Sequence, residues 1–175
     1  DIKKYGNKIY IVLNISSTIE VLDATTYAVI EQIEMHNNGL AKQPRYIDFH
    51  GGKAFVTCYD GYVDVIDTLN LSVIHRIPVG SNPDHLRVAG NMVYVSNSGG
   101  LNFPDYDSTV SVISALSLTE IKKINVGINP GSIAVGGNGN VYVVTRGNFG
   151  SIPSTMSKIE TLTDTKSESY AFEVN

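Results

Sequence analysis

Chemistry-bearing side chains are sparse in this sequence, and those that stand out are suited to binding rather than to reaction. Arg45 and Arg146 each carry a planar fork that matches a carboxylate, amide or phosphate. His85 adds one donor and one acceptor when neutral. The rings of Tyr46, Tyr59, Tyr62, Phe103, Tyr106 and Phe149 could stack on a planar ligand or anchor a protein partner. No nucleophile lies beside a base and no close carboxylate pair can be read, so the expectation is a protein that is not an enzyme. His36, His50 and His75 lack the mutual spacing of a zinc site. Asp105-Tyr106-Asp107 is rich in oxygen donors but lacks the long loop and terminal Glu of a calcium hand, so a solvated loop is the plainer reading. Gly136-Gly-Asn-Gly139 precedes no helical pattern and reads as a hairpin turn, not a phosphate cradle. Cys58 closes a strand-like run and reads as a small buried hydrophobe. No cofactor or metal is implied.

The elements that must hold these groups come from a repeat. The stretch from Val63 to Asn97 contains two pairs of short strands separated by Gly80-Ser-Asn-Pro83, and it recurs before and after itself. Aligned on the aromatic of the V-Y-V strand, Tyr10, Phe55, Tyr94 and Tyr142 are 45, 39 and 48 residues apart. Aligned on the loop proline, Pro44, Pro83 and Pro130 are 39 and 47 apart. A period of about 40 to 48 residues with four strands per unit marks a β-propeller blade, and no helical periodicity competes with it. The expected fold is therefore all-β, a β-propeller of four-stranded antiparallel blades at about residues 1–40, 45–80, 84–127 and 131–175. Since each blade needs a neighbour on both faces, the four are expected to belong to a larger ring, about seven blades by family habit. A closed four-bladed ring is the alternative.

The length of the connections singles out one end of the blades. The first-to-second turns are short (His50-Gly-Gly, Ala89-Gly-Asn, Gly136-Gly-Asn-Gly), whereas long insertions at 97–109 and 146–155 both join a second strand to a third. That end also carries the links between blades, so binding residues are expected there. The repeat supplies an internal control as well. Arg45-Tyr46, Asp84-His85 and Gly131-Ser132 occupy equivalent places after the loop proline, and their chemistry varies while the packing positions around them do not. They are expected at the mouth of the central channel. Each candidate has a plain counterpart: Arg45 pairs with an acid of the next blade, His85 caps a turn, Arg146 ties down its own loop, and the rings fold back over the blade tops. Phe103 and Phe149 are the stronger functional candidates because they lie in insertions.

Composition adds bounds. The chain has 175 residues, 42% apolar, with a net charge of -4 and a pI near 5.5, which disfavours a nucleic-acid partner. No apolar run approaches a membrane span.

At Val93-Tyr-Val-Ser-Asn97, Thr109-Val-Ser-Val-Ile-Ser114 and Ile124-Asn-Val-Gly-Ile-Asn-Pro130 the sequence resembles the YVTN-type, or YncE-like, propeller repeat, over essentially the whole chain. Its irregular parts, Tyr94 to Gly100, Tyr106 to Ile113, Gln43 to Tyr46 and Thr145 to Ser154, look like the surface-exposed propeller lipoproteins of gut bacteria, often labelled surface layer proteins. Some of that group capture cobalamin and hand it to an outer-membrane transporter. The resemblance implies a non-catalytic binding protein at the cell surface, outer membrane or periplasm, tethered by a lipid anchor outside these residues. It also implies a small-molecule ligand, cobalamin in the sharpest version, and a transporter as partner. A protein-interaction scaffold is the alternative, and a lactonase-like or oxidoreductase propeller enzyme the second.

Overall fold

The computed structural model describes residues 1–172, and the end of the fourth expected blade, 173–175, lies outside the described residues. Among the described residues every regular element is a strand. Blade 1 comprises β1 (Ile2–Tyr5), β2 (Lys8–Leu13), β3 (Thr18–Asp23) and β4 (Val29–Glu34). A two-stranded hairpin follows, β5 (His36–Asn37) with β6 (Leu40–Ala41). Blade 2 comprises β7 (Pro44–His50), β8 (Lys53–Cys58), β9 (Tyr62–Asp67) and β10 (Ser72–Pro78). Blade 3 comprises β11 (Pro83–Ala89), β12 (Met92–Asn97), β13 (Thr109–Ser114) and β14 (Thr119–Asn125). Blade 4 comprises β15 (Pro130–Val135), β16 (Val141–Thr145), β17 (Thr155–Glu160) and β18 (Thr165–Ala171). Each blade is an antiparallel meander in sequence order, so the β-propeller fold and its four-stranded blades are as expected, and four blades are consistent with part of a ring.

The hairpin β5–β6 was not read from sequence; the exit of blade 1 was expected only to be long. His36-Asn-Asn-Gly-Leu-Ala41 has no alternating apolar pattern to signal it. Asn38 and Gly39, at φ 49° and 80°, form the tight turn on which the two short strands pair.

Local chemistry explains why the third strands turn where they do. Asp23 Oδ1 accepts the amides of Thr25 and Thr26, and Asp67 Oδ1 accepts those of Leu69 and Asn70. These side chains complete the turn between third and fourth strands without tertiary help. This is the physical content of the recurring Val-Leu-Asp and Val-Ile-Asp segments. Tyr27, Leu71, Leu118 and Asp164, the residues just before or at the start of each fourth-strand pairing, all adopt positive φ near 50–60°.

Packing runs between blades rather than within them. The first strands of successive blades are neighbours, β7 beside β11 and β11 beside β15, so they line the channel side, while the fourth strands lie outermost and largely exposed. Three apolar cores fill the three gaps. Tyr10, Val21, Ile47 and Val56 pack between blades 1 and 2; Phe55, Val65, Leu86 and Val95 between blades 2 and 3; Tyr94, Val112, Ile133 and Val143 between blades 3 and 4. The repeat-marking aromatics Tyr10, Phe55 and Tyr94 are fully buried knobs, one in each gap.

Leu86 sits on the channel strand at the centre of the second core with no solvent exposure. Leu86→Ala is expected to lower stability by about 2–5 kcal/mol in urea unfolding, by lost transfer energy plus the cavity left behind. Leu162→Ala, at a position 97% exposed, is expected to change it by less than about 0.5 kcal/mol.

Candidate functional site

The three loop prolines each open a channel-side strand, and each strand then slips register against its partner: between Pro44 and Ile47, Pro83 and Leu86, and Pro130 and Ile133. The slip frees two residues per blade, the pairs Arg45-Tyr46, Asp84-His85 and Gly131-Ser132. Gln43, Asn82 and Asn129, just before the prolines, have positive φ of 53°, 45° and 56° and set up each bulge. A hydroxyl from the second strand fills the gap in two blades. Thr57 Oγ1 accepts the Tyr46 amide at 3.0 Å, and Ser96 Oγ accepts the His85 amide at 3.0 Å.

This geometry brings Arg45, Asp84 and Arg146 together from three consecutive blades. Arg45 Nε and Nη2 donate to Asp84 Oδ1 at 3.1 and 3.0 Å, and Arg146 Nη2 donates to Asp84 Oδ2 at 2.6 Å. Arg146 Nη1 also reaches Asn129 Oδ1 at 3.3 Å. Gly131 makes the approach feasible: a Cβ there would stand 2.7 Å from the Arg146 Cζ. Arg45 further lies over the ring of Tyr59, 5.1 Å from its centroid. So Arg45 does pair with an acid of the next blade, and Arg146 reaches that same acid rather than closing on its own loop.

His85 faces the next blade. Its Nδ1 accepts the Ile133 amide at 2.7 Å and its ring packs on Tyr46 with centroids 4.1 Å apart. Burial and the nearby Arg87 charge push its pKa down to about 4, so the ring is neutral and Nε2 carries the proton, buried without a partner. His85 and Tyr46 thus join the inner strands of blades 2, 3 and 4.

On the long-loop face the structure assembles the other three candidates. Tyr106 lies between Phe103 and Phe149 in edge-on contacts, with centroids 6.0 and 6.2 Å apart. Phe103 and Phe149 are 75% and 74% exposed, and Leu101 and Ile152 extend the apolar surface. Two insertions therefore build one aromatic platform across blades 3 and 4. The supporting loops are pinned. Asp107 Oδ1 accepts the amides of Ser108 and Thr109, its Oδ2 accepts the Ser81 amide at 3.0 Å, and Asn82 Oδ1 accepts the Leu101 amide at 3.1 Å.

Beside the platform is a polar pocket of about 510 Å³ between blades 2 and 3, walled by Tyr59, Asp60, Asn82, Asn102, Asp107 and Lys123 among others. Asn82, Asn102 and Lys123 were not singled out from sequence. The recurrence of Asn-Pro in Asn82-Pro83 and Asn129-Pro130 is the signal that pointed to the first. A second ion network was also missed. Buried Asp64 pairs with Lys42 at 2.6 Å and Arg76 at 3.2 Å; Arg76 also bonds Asp60 and lies over Tyr62. Cys58 is buried beside it, and burial pushes its thiol pKa well up. Among the described residues no group of three or more His, Cys, Asp or Glu side chains converges as a metal site would require.

No protein-family model matches the sequence, and no curated protein matches it. Solved structures do. Hydrazine synthase of Kuenenia stuttgartiensis superposes with a TM-score of 0.84 at 19% identity, over 96% of this chain and 47% of that one. The dihydro-heme d1 dehydrogenase NirN, solved in complex with DHE, gives 0.73 at 10% identity, over 98% and 37%. The computationally designed Ika8 protein gives 0.69 at 15% identity, over 97% and 48%. These likenesses show the β-propeller fold. The chain spans less than half the length of each.

The neutral state of His85 has a consequence for acid stability. Its pKa is about 4 when folded against an ordinary 6.5, so between those values the unfolded chain binds a proton that the folded one excludes. The stability it contributes is complete above pH 6.5 and is lost as pH falls towards 4. His85→Gln, which retains an acceptor for the Ile133 amide, is expected to flatten this part of the urea midpoint against pH curve relative to wild type.

Proposed function

We propose that this chain is a non-catalytic binding β-propeller whose long-loop face captures a small molecule. The observation carrying this reading is the platform of Phe103, Tyr106 and Phe149, drawn from two unrelated insertions, the first held in place by Asp107 and Asn82 and the second by Asn148. Apolar rings on a soluble surface cost solvation and are retained where they contact something. The adjoining pocket is the right size for part of a drug-sized ligand and is lined by polar groups that give orientation. An enzymatic reading has less to stand on. Among the described residues the one buried histidine, His85, uses its ring Nδ1 to accept the Ile133 amide, and the hydroxyl beside it, Ser96 Oγ, is bonded to the His85 backbone.

The resemblance to the gut-bacterial surface propellers supplies the finer version. In it the ligand is cobalamin, the ring has about seven blades, the protein is lipid-anchored at the outer membrane facing outward or into the periplasm, and the platform hands its ligand to a transporter. A scaffold that binds only protein is the second reading, favoured by two further exposed apolar side chains in the same insertions, Leu101 and Ile152.

Calorimetric titration with cyanocobalamin tests the finer version. Saturable binding, weakened about tenfold by Phe103→Ala or Phe149→Ala, is the expected outcome. Absence of saturable heat at high micromolar cyanocobalamin sinks corrinoid capture and leaves the protein partner.

A further inference from the structure

The Arg45–Asp84–Arg146 cluster is unbalanced, and the imbalance has a use. In the other buried network two cations, Lys42 and Arg76, face two carboxylates, Asp64 and Asp60. Lys3 and Asp48, at 2.9 Å, are likewise one to one. At Asp84 two guanidinium groups share one carboxylate, which leaves an excess positive charge at the channel mouth. Asp84 is wrapped, its side chain 4% exposed, while Arg45 and Arg146 remain 35% and 41% exposed. The carboxylate is therefore internal to the cluster and the cations face outward.

Donor bookkeeping leads to the same place. Two guanidinium groups carry ten N–H donors. Among the described residues they make four side-chain hydrogen bonds, three to Asp84 and one to Asn129. The repeat has departed from its own rule to allow this. The three equivalent positions hold a base in Arg45, an acid in Asp84 and no side chain in Gly131, and the missing side chain is what admits the Arg146 guanidinium.

We propose that Arg45 and Arg146, held in fixed orientation by Asp84, form a site for an oxyanion group, carboxylate or phosphate, of a small soluble molecule. Planar forks select such groups over a simple halide because two parallel N–H donors match two oxygens. Asp84 orients the forks and limits their repulsion for each other, and the bound oxyanion neutralises the remaining charge. Arg45 also lines a cleft of about 360 Å³ with Asp1, Val12, Asn14 and Tyr46, so the rest of such a ligand has a cavity next to its anionic end. The site is independent of the aromatic platform, and neither reading depends on the other.

The experiment measures the thermal midpoint and calorimetric binding of the protein with inorganic phosphate and, separately, succinate, with chloride at matched ionic strength as reference. A rise in midpoint and saturable binding with either oxyanion but not chloride, weakening as ionic strength increases, is expected. Arg146→Gln should weaken that binding at least tenfold, Arg146→Lys should restore part of it, and Leu162→Ala, at an exposed turn outside both sites, should leave it unchanged. If neither oxyanion binds, or if Arg146→Gln lowers the midpoint while the oxyanion response stays as in wild type, the cluster is a structural tie and the proposal fails.

Discussion

A four-stranded antiparallel sheet has two faces and no interior, so it gains stability only against another sheet. Everything else in this chain follows from that constraint. The three cores lie in the gaps between blades, and each gap takes one large knob, Tyr10, Phe55 or Tyr94, from the second strand of the preceding blade. Specific polar ties also cross the gaps; among them, Asp48 Oδ2 accepts the Val88 amide, His85 accepts the Ile133 amide, and Thr57 donates to the Asp84 carbonyl at 2.7 Å. They fix the angle between blades where the apolar contacts alone would allow sliding.

The same constraint separates positions that must repeat from positions that need not. A residue inside a gap faces the same geometry in every unit, and Val, Ile, Leu and an occasional aromatic predominate there, with Met35, Ala54, Cys58 and Ala115 beside them. The two residues released by the bulge after each proline lie outside the apolar gaps and meet their counterparts in the neighbouring blades instead. Arg45, Asp84 and Gly131 could therefore diverge in charge and size without disturbing the cores, and their divergence is mutually fitted across three blades.

This division accounts for what could be read from the sequence. Blade boundaries were legible because the turn chemistry is local: Asp23 and Asp67 fold their own turns, and the strand pattern needs only alternation. The bulge positions were legible because the repeat itself exposes them. Partnership was not. That Arg146 crosses from its own blade to Asp84, 62 residues away, depends on the absence of a side chain at Gly131, and no local pattern announces a vacancy. The hairpin β5–β6 was missed for a related reason, since its strands are too short to show a period. The ion pairs of Asp64 were missed because a single Asp in an alternating strand looks like any solvent-facing residue until Lys42 folds over it.

The two insertions of the platform on the long-loop face are held in different ways, which bears on the binding proposed for it. The blade 3 insertion is tied outward to blade 2, through Asp107 to the Ser81 amide and through the Leu101 amide to Asn82. The blade 4 insertion is tied mainly to itself. Asn148 Oδ1 accepts the amides of Gly150 and Ile152, and Ser154 Oγ donates to the Arg146 carbonyl. Phe103 and Tyr106 therefore stand on a support tied to blade 2, whereas Phe149 stands on a loop tied to itself and, through Arg146, to Asp84 of blade 3. Ordering a side chain or loop on binding opposes association by about 0.5–1.5 kcal/mol per mobile group. Side-chain hydrogen bonds within both insertions keep that opposition low for the ligand proposed for the platform.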